Sequence, residues 1–324
     1  LGRTYEKLGE YDKSIFYLRE SGKMYPGNPL SGIYINISEA KKSLLKDNSS
    51  DLHTRLGWNL FLAKEYGSAE AEYKEAIDLD KNNSLAYNNL ALLYIQNGYY
   101  EKAEKELTKA LPFDNNAQIQ SLLSVNMGRV CLKQKRYSDA KKYFSATLRL
   151  NPTETNIQTY YELSALLTLP EKKGYITYKT IGDHYINLSN YAEAIVSYDK
   201  AIALNSGYCE AHNNLGYAYY LNNEMGKAIA EYDKALNINP KYLKARYNLG
   251  VAYKGSEKYS SAIKEFRELL SLDPKQSQYH IDLAYLYWQT GDYKNAKSEF
   301  EQVVKYSAKE DELSIVKKIL GVIG

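Results

Sequence analysis

Residues Leu215–Pro240 read LGYAYYLNNEMGKAIAEYDKALNINP, and Leu249–Pro274 read LGVAYKGSEKYSSAIKEFRELLSLDP. The two stretches are one phrase shifted by 34 residues. Working outward, the phrase returns at Leu283 and Ile181, again at steps of 34, and further upstream at Met127, Leu90 and Leu56. Each copy has an apolar residue followed by Gly or Ala, a bulky residue, a short polar break, then Tyr, a small residue and an aromatic, often closed by Pro. Self-similarity at a fixed period of this length is the mark of stacked supersecondary units, each unable to bury its apolar face alone.

Because many positions agree at fixed offsets in seven copies, the pattern resembles the tetratricopeptide repeat, a helix–turn–helix unit of 34 residues. Numbered as that family numbers its repeat, the full repeats are 50–83, 84–117, 121–154, 175–208, 209–242, 243–276 and 277–310. The resemblance implies an all-α fold: a right-handed solenoid of helical pairs. The chain opens mid-repeat at Leu1-Gly2 without an initiator Met, so a fragment of a longer protein is expected.

Small residues at the eighth position (Gly57, Gly128, Gly182, Gly216, Gly250) are expected to let the paired helix approach, facing small residues at the twentieth (Ala69, Ala140, Ala194, Ala228, Ala262). The seventeenth position is Tyr in every repeat except the one carrying Met225. This accounts for most of the 34 tyrosines as scaffold, wedged at the turn between helices.

Three segments escape the period. Residues 29–49, 155–174 and 311–324 each read as one amphipathic helix, with Leu30, Ile33, Ile37, Ala40 and Leu44 forming the stripe of the first, and Leu313, Val316, Leu320 and Ile323 that of the last. A solenoid exposes its terminal apolar face, and a lone helix closes it. The expected organisation is therefore 1–49, 50–174 and 175–324, with hinges at KDNSS (46–50) and PEKKG (170–174). The alternative is one continuous superhelix with the lone helices as spacers.

Composition narrows the function classes. With 42 Lys+Arg against 39 Asp+Glu, the chain is too balanced for a protein that mainly grips phosphate backbones, so no nucleic acid is expected. No apolar run reaches the length of a membrane span, and no membrane insertion is expected. Cys131 and Cys209 make neither a disulfide framework nor a metal pair. The few cysteines suit cytoplasm and cell envelope equally. Of four histidines, His53, His212 and His280 share the fourth position of a repeat, where the family packs a bulky residue between helices, and they read as structural. Phosphate-loop, dinucleotide, zinc-protease and nucleophile-elbow motifs are absent. The expectation is a non-enzymatic chain with no cofactor and no metal.

What remains is the concave face. The resemblance implies that positions 2, 5, 6, 9, 12 and 13 line it. Position 6 carries Asn89, Asn126, Asn214 and Asn248, broken by Arg55, Thr180 and Asp282. A carboxamide both donates and accepts, so it can hold a main-chain amide whatever the side chain. Positions 9 and 12 give an apolar lining: Trp58, Phe61, Leu92, Ile95 and Leu132, with Arg129 as the exception, then Tyr217, Tyr220, Tyr285 and Trp288. Aromatics on a surface that ought to be solvated mark a site for another chain.

Chaperone-binding members clamp a terminal carboxylate. Lys179, Asn214 and Lys244 match that pattern, whereas Asp183 and Asn248 depart from it, and an acid at the ninth position opposes the clamp. The resulting expectation is a protein–protein interaction scaffold that holds an extended or helical partner segment in the groove. The alternatives are a regulatory or targeting arm of a larger enzyme or assembly machine, an RNA-binding helical repeat, and a groove filled by a lone helix or by a second copy.

Overall fold

A computed structural model describes residues 1–113, 116–150, 155–170 and 173–323. These form nineteen helices and no strand. The chain makes two compact units, Leu1–Thr168 and Leu169–Gly324. Residues 151–154, which close the expected third repeat, and Glu171 and Lys172 of the expected second hinge lie outside the described residues.

In the first unit, α1 (Gly2–Lys7) pairs with α2 (Tyr11–Met24), and the lone α3 (Pro29–Leu44) packs between α2 and the first full repeat. The full repeats are α4 (Ser50–Leu62) with α5 (Tyr66–Leu79), α6 (Ser84–Gln96) with α7 (Tyr100–Ala110), and α8 (Ala117–Lys133) with α9 (Tyr137–Leu150). The lone α10 (Thr155–Leu167) lies on α9, with Tyr160 stacked 5.0 Å from Phe144. One continuous core runs from Leu18 to Ile157.

In the second unit the pairs are α11 (Tyr175–Asn187) with α12 (Tyr191–Leu204), α13 (Cys209–Leu221) with α14 (Met225–Ile238), α15 (Leu243–Gly255) with α16 (Tyr259–Leu272), and α17 (Ser277–Gln289) with α18 (Tyr293–Tyr306). The terminal α19 (Glu310–Ile323) buries Val316 against the Phe300 and Val303 face of α18. Ile323, expected on the same stripe, lies outside the described side chains. On α3 the stripe is shifted: Tyr34 and Ile37 are buried while Leu30 is exposed, because Asn28 caps the helix and leaves Leu30 in its first turn.

The turn inside each repeat has one geometry. The second helix starts at the seventeenth position every time, at Tyr11, Tyr66, Tyr100, Tyr137, Tyr191, Met225, Tyr259 and Tyr293. Two residues earlier the backbone turns left-handed, at Gly9, Lys64, Gly98, Lys135, Ser189, Asn223, Glu257 and Gly291. The residue after that donates its N–H to the carbonyl five residues back, as in Glu65 to Leu60 at 2.9 Å, which ends the first helix as a Schellman cap. A side chain is strained at that φ by about 1–2 kcal/mol, whereas Gly is not. Lys64→Gly, Lys135→Gly and Glu257→Gly are therefore each expected to stabilise by about 0.5–1 kcal/mol after the added chain entropy of Gly. Thermal midpoints of the three variants check this.

Helix pairing adds a nearer partner to the one expected. Gly57, Gly128, Gly182 and Gly216 lie under the ring of the twenty-fourth residue, and at Gly216 the twentieth-position Ala228 faces the glycine too, its carbonyl oxygen 3.1 Å from an added Cβ. A Cβ on Gly57 would stand 2.7 Å from Tyr73, on Gly128 2.6 Å from Phe144, on Gly182 2.5 Å from Tyr198, and on Gly216 2.7 Å from Tyr232. Where the repeat has Ala91 instead, the twenty-fourth residue is the slimmer Leu107. The exchange of size is not general, since Ala284 at the eighth position has Phe300 at the twenty-fourth.

A second device recurs between the fourth position and the twenty-third. His53 meets Glu72, His212 meets Glu231 and His280 meets Glu299 at 2.6–2.7 Å, and in the remaining case Arg246 meets Glu265 at 2.8 Å. His53, His212 and His280 thus act as hydrogen-bond partners of the facing glutamate rather than as bulk.

Candidate functional site

In the first unit a cleft of about 980 Å³ opens over α4, α6 and α8. One wall is α3, which contributes Asn36, Glu39, Ala40 and Ser43. The lone helix thus lines the groove rather than filling it. The apolar lining includes Trp58, Leu62, Leu85, Leu92 and Leu122. Trp58 is 38% exposed, Leu62 42%, Leu85 41% and Leu122 47%, a cost that a soluble fold accepts over a contiguous patch chiefly where another chain covers it.

Phe61, Ile95 and Leu132 do not line this cleft. Phe61 stacks on Trp58 at 5.5 Å and leans on Tyr66 at 5.6 Å, so position 12 supports the anchor from behind. Leu85 and Leu122 at position 2 and Leu62 at position 13 take the lining role instead.

Asn89 and Asn126 sit on the cleft floor, buried, and they are not an independent ladder. Arg129 donates to the Asn126 side-chain oxygen Oδ1 at 3.1 Å, Asn126 donates to Asn88 at 2.8 Å, and Asn88 donates to Asn89 at 3.3 Å. The relay ends on Asn89, whose NH₂ donates to nothing among the described residues. Asn88, at position 5, joins consecutive repeats, and only the recurrent Asn-Asn doublet at 88–89 and 213–214 signals it in the sequence.

The second unit repeats the relay with a different end. Asn248 donates to Asn213 at 2.9 Å, Asn213 to Asn214 at 2.9 Å, and Asn214 to the Asp183 carboxylate at 2.9 Å. Asp183 also accepts from Tyr198 at 2.8 Å and pairs with Lys179 at 2.9 Å. One turn of helix separates Lys179 from Asp183, so the acid at position 9 takes the cation that a carboxylate clamp would need. Lys244 is exposed. Asp282 likewise accepts from Tyr247, Lys254 and Gln278 at 2.8–3.2 Å. Tyr217 is exposed and lies parallel to Tyr220 at 6.5 Å, which makes an aromatic shelf on α13. Tyr285 is exposed with its ring edge-on to Phe300, and Trp288 is half-buried against Tyr293.

Models of the tetratricopeptide repeat match residues 1–28, 60–125 and 253–317, and a model of the TPR repeat matches 182–223 and 218–256. The chain is a tetratricopeptide repeat protein. This repeat protein is similar to the chloroplastic Outer envelope protein 64 of Arabidopsis thaliana, at 32% identity over 104 residues, which are 32% of this chain and 18% of that protein. It is also similar to the Type IV pilus assembly protein PilF of Pseudomonas aeruginosa, at 30% identity over 127 residues, 38% of this chain and 50% of that protein. The matches span at most half the length of these two relatives. Among solved structures, MamA 41-end from Desulfovibrio magneticus RS-1 superposes with a TM-score of 0.41 at 22% identity, covering 59% of this chain and 97% of that one. Among the described residues of this tetratricopeptide protein there is no group of three or more His, Cys, Asp or Glu placed to hold a metal ion. No described helix is long and apolar enough to cross a membrane.

Proposed function

We propose that this chain is a non-enzymatic interaction scaffold and that its partner segment lies in the cleft over α4, α6 and α8. The observation that carries this reading is the contrast between the two relays. In the second unit the Asn relay ends on Asp183, which accepts its last donor. In the first it ends in the cleft, at a carboxamide with a donor to spare, beneath exposed Trp58, Leu85 and Leu122. That donor opens to the cleft, where the acceptor of a bound ligand can take it in place of water. The Tyr217–Tyr220 shelf is then a secondary contact surface. In the same scheme, α10 and α19 close the two units as capping helices, and the repeats serve as the partner-binding part of a larger protein or assembly.

The test is capture from host lysate with the full chain as bait and two control baits. Trp58→Ala with Leu122→Ala disarms the first-unit cleft, and Tyr217→Ala disarms the second-unit shelf. A partner retained by the wild type is expected to be lost with the first control, since removing a central aromatic anchor costs about 2 kcal/mol or more, roughly thirtyfold. It is expected to survive the second. The reverse pattern would move the site to the second unit.

A further inference from the structure

Among the described residues, four of the eight arginines hold a carboxylate, and four do not: Arg149 and Arg267 outside the cleft, and two that line it. Arg3, Arg19, Arg136 and Arg246 each hold a carboxylate, at 2.8, 3.2, 2.8 and 2.8 Å. Arg55 on α4 and Arg129 on α8, both lining the cleft, have no carboxylate within ion-pair distance among the described residues. Arg129 gives one N–H to Asn126 and keeps the rest of its guanidinium fork. The only carboxylate lining the cleft is Glu39, and Arg19 already engages it. The cleft is thus a mostly apolar trough that presents two cations without a carboxylate, the exposed Arg55 on α4 and the half-buried Arg129 on α8.

We propose that it takes an extended peptide segment, apolar in its middle, with one side-chain carboxylate for Arg55 and another for Arg129. This rests on reading the cleft as the partner site. Guanidinium is the cation suited to such a place, because its planar fork pairs with both oxygens of a carboxylate and is weakly hydrated. The spacing follows from the helices. Neighbouring packed helices lie about 8–10 Å apart, so α4 and α8, on either side of α6, have axes roughly 16–20 Å apart. An extended chain covers that distance in about five or six residues at ~3.3 Å each. A helical segment needs about eleven to thirteen. Its backbone carbonyls are also already bonded, which leaves the Asn89 donor empty. An extended segment supplies free carbonyls above Asn89 and apolar side chains for Leu85, Leu92 and Leu122.

The experiment is selection of a displayed random library of twelve-residue peptides against the full chain. Winners are resynthesised with amidated C-termini, so that only side-chain carboxylates remain, and binding is read by fluorescence anisotropy. Winners are expected to carry two acidic residues five or six positions apart around an apolar stretch. Changing either Glu to Gln should weaken binding about tenfold. Arg55→Gln or Arg129→Gln should weaken it equally and abolish the effect of the matching peptide change. Winners without acids that still lose binding on Trp58→Ala would overturn this inference and leave the cleft as the partner site. An empty selection, or winners indifferent to Trp58→Ala, would overturn both. Displacement of winners by a single-stranded oligonucleotide, blocked by Arg55→Gln, would overturn the peptide in favour of a polyanion.

Discussion

Gly216→Leu is expected to lower the unfolding free energy by about 3 kcal/mol, at the upper end of the cost of overpacking. A Cβ at this position would meet Tyr232 ring carbons at 2.7 and 2.8 Å and the Ala228 carbonyl oxygen at 3.1 Å. The ring belongs to a residue 1% exposed, so it has no room to swing away, and the carbonyl is fixed in α14. Relief requires α13 and α14 to part along their main contact. Alanine alone carries the same first clash, so Gly216→Ala should also destabilise, by about 1–2 kcal/mol, although Ala is ordinarily the better helix former by about 1 kcal/mol. The control lies in the same repeat. Gly226 is helical, and its added Cβ meets nothing within 4 Å, so Gly226→Ala should stabilise by about 0.5–1 kcal/mol. Urea unfolding followed by circular dichroism compares the pair. Equal shifts of the same sign would mean that the close approach at Gly216 is not what fixes the helix pair.

That glycine shows where sequence reasoning reaches and where it stops. The period fixed the register of every repeat independently of side-chain detail and marked the seventeenth position as the turn between helices, where the structure starts each second helix. The seven copies of the phrase marked the eighth position as a close approach. They gave only part of what approaches: Ala228 does face Gly216, but the rings of Tyr73, Phe144, Tyr198 and Tyr232, one turn beyond the expected small residue, come nearer, and which side chain leans over depends on the crossing of the two helices.

The candidate site was legible in the same uneven way. Trp58, Leu92, Asn89 and Asn126 fall in the cleft as the register implies. Phe61 is not among the lining residues, and its ring lies against Trp58 and against Tyr66, the first residue of α5. The bonds that run from Asn126 to Asn88 and from Asn248 to Asn213 cross between repeats, and a pattern read one repeat at a time does not contain them. The Lys179–Asp183 pair was within reach, being one helical turn apart, and reading the two as separate clamp positions hid it. The isolation of Arg55 and Arg129 was not within reach. It depends on what α3 presents opposite them, and α3 stands outside the period.

Arg246→Ala is the second large effect, expected at about 3 kcal/mol or more. Arg246 bridges Glu265 at 2.8 Å and the Pro240 carbonyl at 2.7 Å, and both partners of the ion pair are mostly buried. Removing the cation strands the Glu265 carboxylate. His280 fills the same slot one repeat on, with Nδ1 at Glu299 and Nε2 at the Pro274 carbonyl, and Tyr306 stacks on its ring at 5.7 Å. A carbonyl accepts only, and so does an ionised carboxylate, so two such neighbours require both ring nitrogens to carry a proton.

Burial favours the neutral ring, but the hydrogen bonds to Glu299 and Pro274 outweigh it and hold the His280 imidazole above its ordinary range. A folded-state pKa that is raised gives stability that is complete below the unfolded value of about 6.5 and is lost as pH climbs through the folded value. The α17–α18 pair should therefore loosen between neutral and mildly alkaline pH, while α15–α16, held by a guanidinium that does not titrate there, should not. Hydrogen exchange at pH 6 and pH 9, corrected for the intrinsic rate, reads the two pairs separately. His280→Arg should remove the pH dependence from α17–α18, and Arg246→His should create it in α15–α16. If exchange in α17–α18 ignores pH in the wild type, the imidazolium is not what fastens that repeat, and the likeness between the two slots is one of shape alone.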